Sequence, residues 1–196
     1  LAKMSKDPEY RGVICTPTKA LQDQYKTDMD SLQELYKDIK WADLKGKDNY
    51  LCINRLKDSK GKLEDFTYQK VSEMIPTLFC GERSEVEENL RFRLSDTEWW
   101  QMCGESKRCG EGRCKPETCF GVKAVTKAKS SQLIITNSAM LCVDSKIRNT
   151  RDSEEGLLGR LDTICVDEAH LLENVFISGY TEEISEYDLH DYIRKI

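Results

Sequence analysis

The sequence predicts an α/β protein, a parallel sheet under helices that is interrupted by a cysteine-rich insertion. Three short apolar runs, Val13 to Cys15, Gln132 to Thr136 and Thr163 to Val166, have the length and branched side chains of strands buried on both faces. Segments of helical character follow the first and the last. Between the first two runs, four cysteines crowd into the stretch from Cys103 to Cys119.

The elements follow in order. Pro17, flanked by Thr16 and Thr18, breaks the first strand, and Thr18 is placed to cap a helix beginning near Lys19. Leu21, Tyr25, Met29 and Leu32 recur at helical spacing and give that helix one apolar face. Residues 37–50 are polar and carry a small basic turn at Lys45, Gly46 and Lys47. From Asn54 to Trp100 the periodicity is poor, with apolar islands such as Met74-Ile75 and Leu78-Phe79. Short helices are expected around Phe66–Leu78 and Glu85–Trp99. Without a continuous apolar face, such a body needs a staple. Phe120 to Lys129 is compatible with a helix that carries Lys123 and Lys127 on one face. Ser145 to Arg160 is charged and lacks periodicity. Leu171 to Ile177 reads as a helix behind the last strand, and Ile184 to Ile196 as a final amphipathic segment.

Composition narrows the functional classes. A chain of 196 residues allows one medium domain or a domain with an insertion. The formal net charge of −5 argues against a generally basic nucleic-acid coat and leaves room for a basic groove on one face. No apolar run approaches the ~20 residues that span a bilayer. Leu1 to Tyr10 is charged and has no secretory pattern, and the missing initiator Met suggests a start inside a larger protein. Nine cysteines, with no export signal, read as reduced thiols or metal ligands before disulfides.

Two groups of residues carry chemistry. The strand from Thr163 to Val166 runs straight into Asp167 and Glu168, at the carboxyl end where α/β sheets bind ligands. Neighbouring carboxylates there can divide the work of nucleotide hydrolysis, one orienting Mg²⁺ and the other the attacking water. A bare Asp-Glu pair is more often a solvated acidic turn. The second group is Cys103-x5-Cys109-x4-Cys114-x4-Cys119, set among Gly104, Gly110, Gly112 and Pro116. A lone cysteine is usually a small buried hydrophobe, which four so close together are not. Four thiolates could hold Zn²⁺, although Cys-x2-Cys knuckles are missing. Three of them with the distant Cys52 could instead ligate an iron–sulfur cluster, which tolerates uneven spacing.

Several motifs carry a family resemblance. Asp167-Glu168-Ala169-His170 resembles, letter for letter, the DEAH box of superfamily 2 helicases, and Thr16-Pro17-Thr18-x-x-Leu21-x-x-Gln24 resembles their motif Ia. Lys45-Gly46-Lys47-Asp48-Asn49-Tyr50-Leu51-Cys52, then Cys109-x4-Cys114-x4-Cys119-Phe120, then Gln132 to Asn137 are similar to the DinG branch of the DinG/XPD iron–sulfur helicases. The resemblance implies a RecA-like, P-loop NTPase type core. Residues 1–40 and 123–196 would belong to the first motor domain and residues 41–122 to an iron–sulfur insertion. It implies a 4Fe-4S cluster on Cys52, Cys109, Cys114 and Cys119, with Cys103, and after it Cys80, as substitutes. Cys15, Cys142 and Cys165, in or beside strands, are expected in the core. By the same resemblance Asp167 holds the Mg²⁺ of ATP through water, Glu168 polarises the attacking water, and His170 links the nucleotide site to the DNA-bound motifs. Thr16 and Thr18, with Lys19 after them, would contact the DNA backbone, a contact that positions a strand without reading its sequence. Lys123 and Lys127 could face phosphate. Ser138 departs from the pattern, standing where the family has His.

The chain holds no Gly-x-x-x-x-Gly-Lys-Ser/Thr loop to cradle phosphates. The resemblance places that loop just before Leu1 and a second motor domain beyond Ile196. The expectation is therefore the middle of a first motor domain, inactive alone. Its parent would be an ATP-dependent DNA helicase moving 5′→3′ on single-stranded DNA and opening forked duplex DNA. It would be monomeric, cytoplasmic, bacterial or phage-encoded, with no membrane partner. Two rivals stand beside it: a zinc-stabilised nucleic-acid-binding module whose DEAH letters are coincidental, and a DinG-type nuclease or ATPase that does not unwind.

Overall fold

Four parallel strands form one sheet in the order β2-β3-β1-β4 in a computed structural model that describes residues 1–105, 109, 116–151 and 155–181. β1 (Gly12–Thr16) lies between β3 (Leu133–Asn137) and β4 (Thr163–Val166), and β2 (Trp41–Leu44) pairs with the far side of β3. Val13 stands opposite both Ile134 and Ile164, and Cys15 opposite both Thr136 and Val166. Alternate residues of these strands feed two cores. Val13, Cys15, Ala42, Leu44 and Ile134 pack on one face, and Leu133 and Ile135 join Met29 and Ile39 on the other. Each fully buried Leu or Ile side chain contributes roughly 1.5–3 kcal/mol of transfer free energy.

The helices follow from local signals. α1 (Lys19–Leu32) starts where expected, because the Thr18 hydroxyl accepts the Leu21 N–H at 3.2 Å. α7 (Ser138–Arg151) crosses from β3 to β4 and extends through residues that the sequence left without periodicity. A short turn at Ala169–Leu171 leads into the expected helix, α8 (Leu172–Tyr180), which packs on α7. The segment from Ile184 to Ile196 lies outside the described residues. Among the described residues no helix is long and apolar enough to cross a membrane.

Three expectations are corrected. β2 emerges from a stretch read as polar, because only Ala42 and Leu44 of its four residues are buried. It lies within the 41–122 stretch assigned to the insertion, yet it is a sheet strand. The stretch read from the sequence as an insertion, secondly, has a core cluster of its own. α2 (Ile53–Asp58), α3 (Asp65–Met74), α4 (Arg83–Leu90) and α5 (Asp96–Met102) gather Leu56, Val71, Val86, Trp99 and Met102 around Phe120. Each helix fully buries only one or two apolar side chains in this core, which leaves little stripe in the sequence. The expected helix over Glu85–Trp99 is two. Arg91, left-handed at φ 61°, closes α4, and Ser95 opens α5 with a capping box to Glu98. α6 (Phe120–Lys129) then runs back over β2.

Thirdly, β4 is not buried on both faces. Among the described residues it is the edge strand, with Ile164 52% exposed and Thr163 and Cys165 exposed beside it. Cys165 is therefore no core residue, whereas Cys15 and Cys142 are buried as expected. The apolar run specified a strand; how deeply it is buried depends on what flanks it.

Candidate functional site

Because the strands are parallel and in register, their carboxyl ends come out together. Leu44, Thr16, Asn137 and Val166 end on one edge, and the loops that follow them share it. The Asp167 N–H donates to the Cys15 carbonyl at 2.8 Å and carries the β1–β4 ladder one residue further. Glu168 then turns the chain sharply, at φ 52° and ψ 53°. A glutamate in this left-handed region is uncommon and costs about 1–2 kcal/mol relative to ordinary helical backbone. Such outliers gather at functional sites. Glu168 Oε2 lies 3.2 Å from His170 Nδ1, with both side chains open to solvent. Tyr25 of α1 lies near Asp167; burial and then that negative charge push its hydroxyl pKa up.

The Thr-Pro-Thr loop borders this site, but its hydroxyls are committed. Thr16 is fully buried and donates to the Thr18 carbonyl at 3.0 Å, so its side chain does not reach a strand lying on the surface. This corrects the expectation for Thr16. The Thr18 hydroxyl is exposed and serves as the cap of α1. Lys19 is exposed and pairs with Asp48 at 3.2 Å.

A buried polar network holds these loops together. Gln22 donates to the carbonyls of Leu44 at 3.0 Å and Ile135 at 3.3 Å, and its own carbonyl accepts from Asn137 Nδ2 at 3.1 Å. Asn137 in turn accepts the Met140 N–H at 3.1 Å, starting α7. Ser138, at the position of the family's His, donates to the Thr16 carbonyl at 3.3 Å. Sequence reasoning missed Gln22. The resembling motif points to Gln24, which is exposed, whereas Gln22 follows the helical spacing that turns toward the sheet. A fully satisfied network of this kind fixes the loops.

The basic turn forms a second joint. The Lys45 ammonium is buried, 2.6 Å from Asp23 of α1 and 3.0 Å from Glu82, which precedes α4. Lys26 lies 3.6 Å from Asp43 and 3.7 Å from Glu82. Burial, then Asp43, raise the Glu82 pKa against the pull of the two lysines. Burial opposes the charge on Lys45, and its carboxylate partners outweigh it, so its pKa rises.

The cysteines divide by environment. Cys52 caps the start of α2, its N–H donating to the Met102 carbonyl at 2.8 Å, and the neighbouring Leu51 bridges Cys103. Cys109 and Cys119 are half-buried free thiols, and Cys119 caps α6. Cys114 lies outside the described residues. Cys80, the second substitute named from the sequence, is a free thiol of intermediate burial. Burial first, then its acidic neighbours, push its thiol up to about 12, and its Sγ lies 3.2 Å from Glu85 Oε2. Among the described residues no three His, Cys, Asp or Glu side chains group to hold a metal ion.

No protein-family model matches the chain. It is 28% identical over 191 residues to the ATP-dependent DNA helicase YoaA of Escherichia coli K12, covering 94% of this chain and 30% of that protein. It is 27% identical over 211 residues to the ATP-dependent helicase DinG of Mycobacterium tuberculosis H37Rv, with the same coverage. YoaA of Haemophilus influenzae matches at 24% over 195 residues, 95% of this chain and 30% of its own length. The chain thus spans less than a third of the length of the curated relatives it matches. Over nearly its whole extent the chain aligns with these ATP-dependent helicases.

Proposed function

We propose that the chain is the central part of the first motor domain of an ATP-dependent DNA helicase. Its parent hydrolyses ATP to move 5′→3′ along single-stranded DNA as a monomer in the cytoplasm and to open forked duplexes. The observation that carries this reading is the common carboxyl edge, where the register sets Asp167, Glu168 and His170 beside the loop after β1. Asp167 is the candidate for Mg²⁺ through water and Glu168 for the attacking water. His170, 3.2 Å from Glu168, is the candidate for linking the nucleotide site to the DNA-bound motifs. Thr18 and Lys19 are exposed on the same edge and are the DNA-backbone candidates that remain. The Lys45–Glu82 joint ties the insertion to α1, so a strand held by α1 is mechanically coupled to residues 41–122.

Glu168→Gln in the full-length parent is the test. ATP turnover should fall about 10²- to 10⁴-fold, the range for removing a positioned general base, with nucleotide binding kept. Unchanged turnover overturns the assignment. The ligand set Cys52, Cys109, Cys114 and Cys119 rests on the sequence pattern and on the free, half-buried state of the three thiols described. Anaerobic purification should give brown protein; colourless protein with stoichiometric zinc would sink the cluster.

A further inference from the structure

A second surface, away from the carboxyl edge, carries the chemistry of a strand-binding platform. Phe79 is 82% exposed, which is unusual for so large an apolar ring. Its loop is held rigidly. Glu85 accepts the N–H groups of Phe79 at 2.6 Å, Cys80 at 3.0 Å and Gly81 at 2.6 Å. Gly81 is left-handed at φ 66°, and a Cβ there would lie 2.3 Å from the Phe120 ring, so this shape requires glycine. A loop pinned in this way presents an aromatic ring to solvent at little further cost in entropy.

Beside it lies the lysine face of α6. Lys127 Nζ stands 5.9 Å from the Phe79 ring and 5.9 Å from the Trp41 ring. Lys123 is one turn back on the same face, 5.3 Å from the Phe120 ring. Neither lysine has a carboxylate within ion-pair distance among the described residues. Lys127 is the shared wall of two hollows. One, about 210 Å³, is bounded by Phe79, Phe120 and Lys123; the other, about 450 Å³, is bounded by Trp41, Lys40 and Ser130. The acids that reach the first hollow, Asp43 and Glu82, are already turned to Lys26 and Lys45. Asp30 borders the second.

We propose that this face binds single-stranded DNA, with bases resting on Phe79 and Trp41 and the intervening phosphates on Lys123 and Lys127. An exposed ring, Phe79, and a half-buried one, Trp41, beside cations without carboxylate partners suit single strands, because every base has a face to stack and every linkage a charge. A duplex keeps its bases inside and cannot use the rings. The assignment rests on the helicase reading for its choice of nucleic acid, but the surface is distinct from the Thr18–Lys19 edge. It lies at the β2 side of the sheet, where Trp41 and Phe79 flank Lys127 of α6.

The test is fluorescence anisotropy of a labelled oligo-dT with the 196-residue chain across a salt series. Lys123→Ala with Lys127→Ala should flatten the plot of log affinity against log salt by about 1.4, at about 0.7 per phosphate contact on a single strand. Phe79→Ala should weaken binding about five- to a hundredfold at fixed salt and leave the slope alone. All three side chains are exposed, so melting temperatures should match the parent chain and report that the variants fold. Wild-type affinity and slope in both variants overturn the proposal, as does equal binding of a blunt duplex. Absence of any oligo-dT binding by the unaltered chain also overturns it. Whether the helicase reading then falls too is read separately, from the Glu168→Gln turnover of the parent.

Discussion

The insertion and the DEAH strand make opposite use of apolar residues. The insertion looks too polar to fold by itself, yet it buries Leu56, Val71, Val86 and Met102 almost completely. The DEAH strand looks like pure core, yet it leaves Ile164 and Cys165 in solvent at the sheet edge. Local apolar density therefore does not decide burial. In the insertion, helices that each give little converge on Phe120. At β4, a run that is apolar throughout has, among the described residues, a strand partner on one side only, and that partner is β1.

The joint between the insertion and the sheet should give the largest effect. Lys45→Ala leaves Glu82 buried beside Asp43 with Lys26 as its only cation, whereas Lys45 now lies 3.0 Å away. Removing one member of a buried pair typically costs about 3–5 kcal/mol. Urea unfolding should show a loss of this order. A change under about 1 kcal/mol would mean that the ionic joint adds little and that the apolar contacts of α6 hold the two bodies together.

The comparison itself is tested by a matched pair. Leu56→Ala in the insertion should cost about 2–5 kcal/mol, the range for truncating a buried Leu. Ile164→Ala in β4 should stay near 0.5 kcal/mol, as for an exposed side chain away from special features. Equal losses would break the contrast, since they would require β4 to be buried or the insertion core to be loose.

Much of the sheet was legible in the sequence. β1, β3 and β4 announce themselves as short apolar runs, and the Thr18 cap fixes the start of α1 to the residue. β2 was hidden because four residues with two facing inward leave too little pattern to see among Lys40, Asp43 and Lys45. Of the site, the letters Asp167 to His170 gave the residues but not the left-handed turn at Glu168, which depends on backbone rather than on residue type. Thr16 and Gln22 show the other gap. A hydroxyl in a helicase-like loop suggests a ligand contact, but only the packed structure reveals that Thr16 faces inward and that Gln22 satisfies three neighbours.

A smaller effect is expected at the break between α4 and α5. Arg91 holds φ 61° at the end of α4, where glycine carries no Cβ penalty. Arg91→Gly should therefore stabilise the chain by roughly 0.5–1 kcal/mol, a gain net of glycine's extra freedom when unfolded. Thermal melting resolves it as a rise of a few degrees. A fall would show that the Arg91 side chain contributes more than its backbone strain removes.

The smallest effect separates two neighbouring glutamates of the insertion by the sign of their titration. Burial works against the Glu85 charge, but the N–H groups of Phe79, Gly81 and Cys80 and the Cys80 thiol outweigh it and hold its pKa below the usual carboxylate range. A lowered folded-state pKa means a contribution present above the unfolded value of about 4.5 and lost as pH falls through the folded value. Glu82 is shifted the other way. Its contribution is complete below the unfolded value and declines as pH rises through the raised one. Global unfolding mixes the two, so the local readout is hydrogen exchange at the Phe79 and Gly81 amides. Corrected for intrinsic rates, their protection should drop below about pH 4.5, while the Leu56 amide deeper in the same body stays protected. In Glu85→Gln the protection should already be reduced at neutral pH and should not fall further through this window. If the wild-type amides keep full protection through the acid range, the carboxylate is not what pins the loop. The exposed Phe79 ring would then owe its place to the packing of Gly81 against Phe120.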